Sequence, residues 1–350
     1  MSAGSTIAKG LVGAGGFLLA VGIAAPAACA EPDKVTIAIS NSSSDVGIFN
    51  AEKKFYFRDE GIAATTVAFD SAAKMVAPLA SGEIDVGSGS VAAGIYNAVA
   101  RGISIKVVAD TGSAPPGYGH NILLVRKDLV ASGRFTELKD LKGMRIALTA
   151  PGASSTATLN EALKQAGLKF SDIEPVYLGF PDHVLALINK GVDAGLTAEP
   201  AATQAEKAGA VVRIMSDDVI DPYHQASVTI YSGAFAKERP EVATRFMRAY
   251  LRAVRYYNDA LKDGGLKGPT AEDVIAILTE YTNIKDPAVY RAISPQGCNP
   301  DGYVNIASLK KDFAFYQSQG WIVGKVTVED LVDDSFVKAA LKDIGPYRKK

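Results

Sequence analysis

The sequence predicts an α/β protein of two lobes, each built on a mostly parallel sheet, with two crossover strands carrying the chain between them. Three observations point there. Apolar runs of strand length alternate with helical patterns at 35–39, 84–86, 105–109, 122–125, 145–148, 174–178, 192–196, 211–214 and 228–231; continuous apolar runs mark strands covered on both faces, as in sheets sandwiched by helices. The rhythm breaks twice, at Ala114-Pro115-Pro116-Gly117-Tyr118-Gly119-His120 and at Asp221-Pro222-Tyr223-His224-Gln225, and Pro/Gly clusters of this kind are connections. The stretch LASGEIDVGSGSVAAG (79–94) is echoed by LINKGVDAGLTAEPAA (187–202): a helix-like run, a Gly, a short apolar strand carrying Asp, then Gly and small polar residues. If both breaks are crossovers, residues 31–118 and 227–350 form one lobe and residues 119–226 the other. The 350 residues suffice for two cores of ordinary size.

Residues 1–30 stand apart. After Lys9 an apolar run at 11–25 leads to Pro26 and then Ala28-Cys29-Ala30 before Glu31. A membrane-spanning helix needs about 20 apolar residues, and this run is shorter and ends in a small-x-small site. The pattern predicts a secretory leader cleaved after Ala30 and a mature chain outside the cytoplasm; an uncleaved anchor is the alternative. Pro26 stands where a lipoprotein leader wants an aliphatic residue, so lipidation of Cys29 is disfavoured. No twin-arginine pair precedes the run, and export unfolded is expected. Cys298 is then the single cysteine, so no internal disulfide forms and packing must supply the stability.

Charge excludes some partners. The formal net charge is −1, with Lys9 leaving in the leader, so no field selects nucleic acid or a membrane surface. The last third reads as scaffold: Val242, Phe246, Tyr250, Val254 and Tyr257 recur with helical period, as do Ile306, Leu309, Phe313 and Tyr316. Thr327-x-x-Asp330 has the form of a capping box with Asp in place of Glu.

The glycines suggest a binding site. In open α/β sheets ligands lie beyond the carboxyl ends of strands, where the next helix begins with unpaired N–H groups and a positive dipole end. Gly87 and Gly89 follow strand 84–86, with Ser90 placed to cap the next helix. Gly152-Ala153-Ser154-Ser155-Thr156 follows strand 145–148 in the other lobe. Two helix N-termini would face one another across a cleft. Each such dipole is worth about 0.3–1 kcal/mol when exposed, whereas micromolar affinity takes about 8 kcal/mol, so closure around several donors is required. Asp85 and Asp193 are expected to hydrogen-bond at strand entry, and Gly82 and Gly191 to end helices.

Catalytic patterns are missing: no G-x-S-x-G, H-E-x-x-H, C-x-x-C or G-x-x-x-x-G-K-[ST] occurs in residues 31–350. Gly87-Ser88-Gly89-Ser90-Val91-Ala92 fits G-x-G-x-x-G/A, with Asp110 near the spacing of a ribose-binding acid, but its strand is short and an exported chain meets little nicotinamide. No cofactor or metal is expected. His120, His183 and His224 fall at loops and read as surface or hinge residues, with His120 the one to test for ligand contact. Asp217-Asp218 reads as a cap.

The chain resembles the periplasmic solute-binding proteins of ABC importers for nitrate, sulfonate and taurine, a group that includes binders of thiamine-pyrimidine precursors. The likeness rests on Phe57-x-x-Glu60-Gly61-Ile62, on residues 79–87, on Asp140-Leu141-Lys142-Gly143, on Gly191-Val192-Asp193-Ala194 with Glu199-Pro200, and on residues 331–336 with Gly345-Pro346-Tyr347. It implies a two-lobed type II periplasmic binding protein fold, non-enzymatic and monomeric, that delivers a small organic anion to a membrane permease driven by a cytoplasmic ATPase. By position it implies ligand contacts from Asn41, Ser42, Phe49, Gly89, Ser90, Tyr118, His120, Ser154, Ser155, Thr156, Asp182 and Glu199. Phe49 and Tyr118 would cover an apolar portion of the ligand. A heteroaromatic ligand, with Asp182 and Glu199 accepting its N–H groups, is the alternative; an enzyme on the same fold comes third.

Overall fold

The computed structural model describes residues 1–10, 31–69 and 72–349. The leader run at 11–25, Cys29 and the cleavage site at Ala30 lie outside the described residues. Residues 1–10 are exposed and without regular secondary structure, and Pro32–Lys350 is one compact unit.

Within that unit two five-stranded sheets form. The first takes β1 (Asp33–Ile39), β2 (Ile62–Ala68), β3 (Val86–Gly89), β4 (Ile105–Ala114) and, much later in the chain, β10 (His224–Ser232), in the order β2-β1-β3-β10-β4. The second takes β5 (Asn121–Arg126), β6 (Arg145–Leu148), β7 (Glu174–Tyr177), β8 (Ala194–Ala198) and β9 (Val211–Ser216), in the order β7-β6-β8-β5-β9. The sheets share one design. In each, two pairs are parallel, and one strand arriving from the other sheet runs antiparallel between its neighbours: β10 between β3 and β4, and β5 between β8 and β9.

The echo in the sequence marks β3 and β8, which sit at equivalent places. Asp85 Oδ2 accepts from Thr36 N (3.0 Å) and Asp193 Oδ2 from Arg145 N (3.0 Å). Each aspartate thereby ties its strand to the parallel neighbour and is itself neutralised, Asp85 by Arg239 (3.3 Å) and Asp193 by Arg126 (3.1 Å). A carboxylate at a sheet entry holds its place only with such donors.

Two details depart from the sequence expectation. Gly87 and Gly89 are not in a loop after strand 84–86; they are part of β3, pairing with Ile230 and Val228. A Cβ on Gly89 would stand 2.7 Å from Ala72 Cβ, and one on Gly87 3.0 Å from Leu79 Cδ1, so these glycines let the helix Ala72–Ser81 press onto the strand. Strand β2, IAATTVA, escaped notice because Ala and Thr dilute its apolar pattern.

The long helix Pro240–Asn258 buries Val242, Phe246, Tyr250, Val254 and Tyr257 against the first sheet's core, as the period requires. The capping box at Thr327 and Asp330 forms. Cys298 is buried and free. Among the described residues no helix is long and apolar enough to cross a membrane.

Candidate functional site

The carboxyl edges of the two sheets meet. From the first come the turn after β1, residues 40–45, and the segment after β3 that leads into the helix Ala93–Ala100. From the second come the loop after β6, which leads into the helix Ser154–Gln165, and Glu199 after β8. Two hydrogen bonds join them, and a third reaches Glu199 from Ser294, just beyond the helix Pro287–Ala292. Ala93 N donates to Gly152 O (2.9 Å), Ser43 Oγ to Glu199 O (3.1 Å) and Ser294 N to Glu199 Oε1 (3.3 Å). Ser90 and Ser154 thus flank one contact point and belong to edges that face each other. Two surface hollows, about 340 Å³ beside Arg126 and Lys190 and about 540 Å³ beside Glu272 and Arg291, lie off these edges.

On the first edge the chain turns sharply. Asn41 adopts a left-handed conformation (φ 54°), which Asn tolerates better than most residues. Ser42 and Asp45 form a reciprocal capping box around the turn Ser43–Asp45, and Ser42 Oγ lies 2.6 Å from Ser44 Oγ. Asp45 is fully buried; that burial pushes its carboxyl up to about 6 although Ser88 and the amides of Ser42, Ser40 and Asn41 oppose the rise. On the second edge Ser154, Ser155 and Thr156 are all buried. Ser155 Oγ pairs with Thr149 Oγ1 at 3.1 Å, and Thr156 Oγ1 donates to Ala150 O at 2.9 Å.

Ser90 does not cap its helix. The N-cap is Ala92, with no side-chain bond, and the second helix likewise starts from Ala153 with Ser154 inside its first turn. The first amide of the Ala93 helix goes instead to the carbonyl of Gly152, in the loop after β6 of the second sheet. That bond needs Gly152: its φ is 66°, and a Cβ there would stand 2.5 Å from Ala93 Cβ.

The remaining sequence candidates fall in different places. Tyr118 is half-buried against the first sheet's core. His120 is buried, its backbone N–H donating to Asp217 Oδ1 (2.8 Å) and its ring Nδ1 without a partner. Asp217 and Asp218, read from sequence as caps, are instead the first two residues of a helix capped at Ser216 and clamp the first crossover: Asp217 takes Asn121 Nδ2 (2.7 Å) and Asp218 takes Gly117 N (2.7 Å). Phe49 is a correction. The turn at 43–45 starts its helix at Val46, which points Phe49 into the core, 1% exposed and stacked on Tyr281 with ring centroids 5.2 Å apart. Asp182 is exposed on the first turn of the helix Phe180–Ile188. The next residue, His183, is buried on that helix between Thr197 Oγ1 and Leu178 O, both at 3.1 Å, not in a loop. His224, also read as a surface or hinge residue, is buried at the start of β10.

Glu199 has its carboxylate engaged within the protein. Arg213 Nη2 (2.7 Å), Thr203 N (3.0 Å) and Ser294 N (3.3 Å) all donate to it. Arg213, the cation that holds Glu199, was missed in the sequence, where its signal was a lone cation inside the apolar run 211–214.

Burial holds His120 and His183 down at about 4, so both stay neutral where a free imidazole is half protonated near 6.5. Their folded values lie below the unfolded ones; the stability they confer is complete above 6.5 and is lost as pH falls toward 4. His120→Gln is therefore expected to lessen the loss of Tm between pH 6.5 and 4 relative to the parent, both measured without ligand. An unchanged pH profile would place His120 in contact with solvent.

With this geometry in view, comparison with known proteins gives a coherent result. The NMT1/THI5-like family description matches residues 43–260. The chain belongs to the NMT1/THI5-like family. A Bacillus subtilis relative, 29% identical over 320 residues and covering 89% of each chain, carries an aliphatic sulfonates-binding name. The taurine-binding periplasmic protein of Escherichia coli is 27% identical over 232 residues, 65% of this chain and 68% of that one. In three dimensions the periplasmic nitrate-binding protein NrtA of Synechocystis superposes with a TM-score of 0.76 over 90% of each chain at 12% identity, a likeness of fold. The ligand-binding component of an ABC-type import system from Staphylococcus aureus superposes with a TM-score of 0.72 over 88% of this chain and 99% of that one at 16% identity, again a likeness of fold.

Proposed function

We propose that the chain is the extracytoplasmic substrate-binding component of an ABC importer and closes on a small organic anion of the sulfonate, carboxylate or nitrate class. The observation that carries the reading is the contact of Ala93 N with Gly152 O, which brings together two helix starts from two sheets. In this reading residues 31–118 with 227–350 and residues 119–226 are the two lobes. Asn41, Ser42, Ser90, Tyr118, His120 and Ser154 to Thr156 line the gap, and Glu199 serves as the latch between lobes, not as a ligand group. The names of the sulfonate- and taurine-binding relatives support the anion class. Hydroxyls and amides stabilise an oxyanion when water is excluded, because each charge-assisted bond is about twice as strong as a neutral one. The leader, cleaved after Ala30, places the monomeric protein in the periplasm, where it docks on a permease driven by a cytoplasmic ATPase.

A heteroaromatic ligand is the second reading, favoured by His120, whose buried Nδ1 lacks a partner. Thermal-shift screening of taurine, alkanesulfonates, nitrate, aromatic carboxylates and pyrimidines separates the two. A stoichiometric sulfonate or carboxylate hit that is recovered unchanged supports the first; turnover of the hit contradicts a receptor. Ser154→Ala and Ser155→Ala are each expected to weaken a confirmed anion roughly tenfold, the value of one lost bond of about 1.5 kcal/mol, as read by calorimetry.

A further inference from the structure

Away from the facing edges, three buried side chains from three elements converge where the second crossover re-enters the first sheet. Asp221 belongs to the crossover, His224 opens β10 and Asp312 lies on the helix Ile306–Ser318. One ring nitrogen of His224 and one carboxylate oxygen from each aspartate lie within 4.8 Å of one another. None of the three residues is more than 8% exposed. His224 Nε2 is 2.9 Å from Asp312 Oδ2, while its Nδ1 is 3.3 Å from Thr158 Oγ1 on the helix Ser154–Gln165. A second observation points to a ligand: Asp221 Oδ2 is buried without any hydrogen-bond partner, a state that costs about 1–3 kcal/mol or more unless something completes it.

We propose that Asp221, His224 and Asp312 form a binding site for one divalent transition-metal ion, with zinc as the reference, at the junction of the two lobes. The donor set decides the class. Magnesium and calcium take oxygen ligands, whereas one imidazole with two carboxylates suits zinc, cobalt or manganese. Two carboxylates and a neutral imidazole balance the dication, leaving a fourth position for water. Bonds of about 2.0–2.2 Å set tetrahedral ligand atoms about 3.3 Å apart, so on binding the separations of up to 4.8 Å close by as much as about 1.5 Å while the 2.9 Å between His224 Nε2 and Asp312 Oδ2 opens slightly. Lys311, now paired with Asp221 Oδ1, is the group that must leave, and its side chain is 39% exposed on a flexible stem with solvent open to it. Thr158 Oγ1 at the far ring nitrogen orients the imidazole, as outer partners of metal-bound histidines do. The bound ion would tie the crossover segment to the helix that carries Asp312.

The test uses the exported chain without its leader, stripped with a chelator, dialysed and titrated with zinc and with cobalt. One ion per chain at micromolar or lower Kd is expected, with visible cobalt absorption bands that zinc abolishes and a rise in Tm of several degrees. Asp221→Asn and His224→Gln are expected to lower zinc affinity at least 100-fold, and Lys311→Met to leave it equal or tighter. Absence of cobalt bands and of any Tm shift at 100-fold excess over protein overturns the site, as does binding that Asp221→Asn leaves unchanged. Should His224→Gln fail to fold, the cobalt spectrum of the parent and the Asp221→Asn titration still decide. None of these readouts depends on the anion ligand.

Discussion

Gly152→Ala is expected to weaken ligand binding 100-fold or more while both sheets stay folded. The added Cβ would lie 2.5 Å from Ala93 Cβ and 3.3 Å from Ala93 N. Both alanine carbons are fixed to backbone, so no rotamer change relieves the clash. The helix Ala93–Ala100 and the loop before Ser154 must part, and the bond from Ala93 N to Gly152 O breaks. Positive φ adds a local cost of about 1 kcal/mol for a non-glycine residue, which touches stability only modestly. Binding suffers more: a 100-fold loss is about 2.7 kcal/mol, the size expected when one edge of donors is drawn back and water enters. Gly133→Ala is the control, since Gly133 also has positive φ (74°) but nothing within 4 Å of its Cβ position. Calorimetry with a confirmed ligand, together with Tm for each variant, measures both effects. Equal affinity in Gly152→Ala and the parent would mean that this contact has no part in binding.

Glu199→Ala is expected to lower Tm by roughly 10 °C. The carboxylate is fully buried, and its loss strips a partner from Arg213, whose side chain is only 24% exposed, and from the amides of Thr203 and Ser294. Breaking a buried pair from one side costs about 3–5 kcal/mol, and about 1 kcal/mol moves Tm by roughly 2–4 °C in domains of 150–250 residues. Part of that cost is the stranded guanidinium. The double variant Glu199→Ala/Arg213→Met should therefore recover some of the lost Tm, since neighbouring groups do not add independently. Glu206 still holds Arg213 Nε at 2.6 Å, which keeps the loss at the lower end. A fall below 2 °C would show that the carboxylate contributes little to holding Arg213, Thr203 and Ser294 together.

The two-sheet α/β architecture was legible because its signals are local and repeated. The apolar runs, the two Pro/Gly breaks and the doubled Gly-Asp-Gly passage report burial on both faces and the points where the chain changes sheet. Asp85 and Asp193 were readable as strand-entry residues because a lone carboxylate in an apolar run must find donors. The site was legible only in part. Sequence located the connections after the strands at 84–86 and 145–148, but spacing alone does not say where a strand ends or which residue closes the turn, so Gly87 and Gly89 were placed beyond a strand they belong to and Ser90 was assigned a cap that Ala92 occupies. Phe49 was misplaced because its position was carried over from the resemblance, which does not say which face of the helix starting at Val46 it occupies. The engagement of Glu199 by Arg213 and Ser294, and the convergence of Asp221, His224 and Asp312, join residues far apart in the chain. Contacts of that kind have no periodicity to read.

The central claim, that the two edges shut on an occupied gap, is tested most directly by electron-paramagnetic-resonance distances between spin labels on Ala73→Cys and Pro181→Cys. Both positions are exposed, one on the helix packed over Gly89 and the other on the first turn after β7, while Cys298 is buried at 7% exposure and shielded from label. A saturating sulfonate identified by screening should shorten and narrow the label-to-label distribution, and Gly152→Ala should resist the change. Superimposable distributions with and without ligand, at concentrations where calorimetry shows full occupancy, would contradict closure and with it the receptor reading.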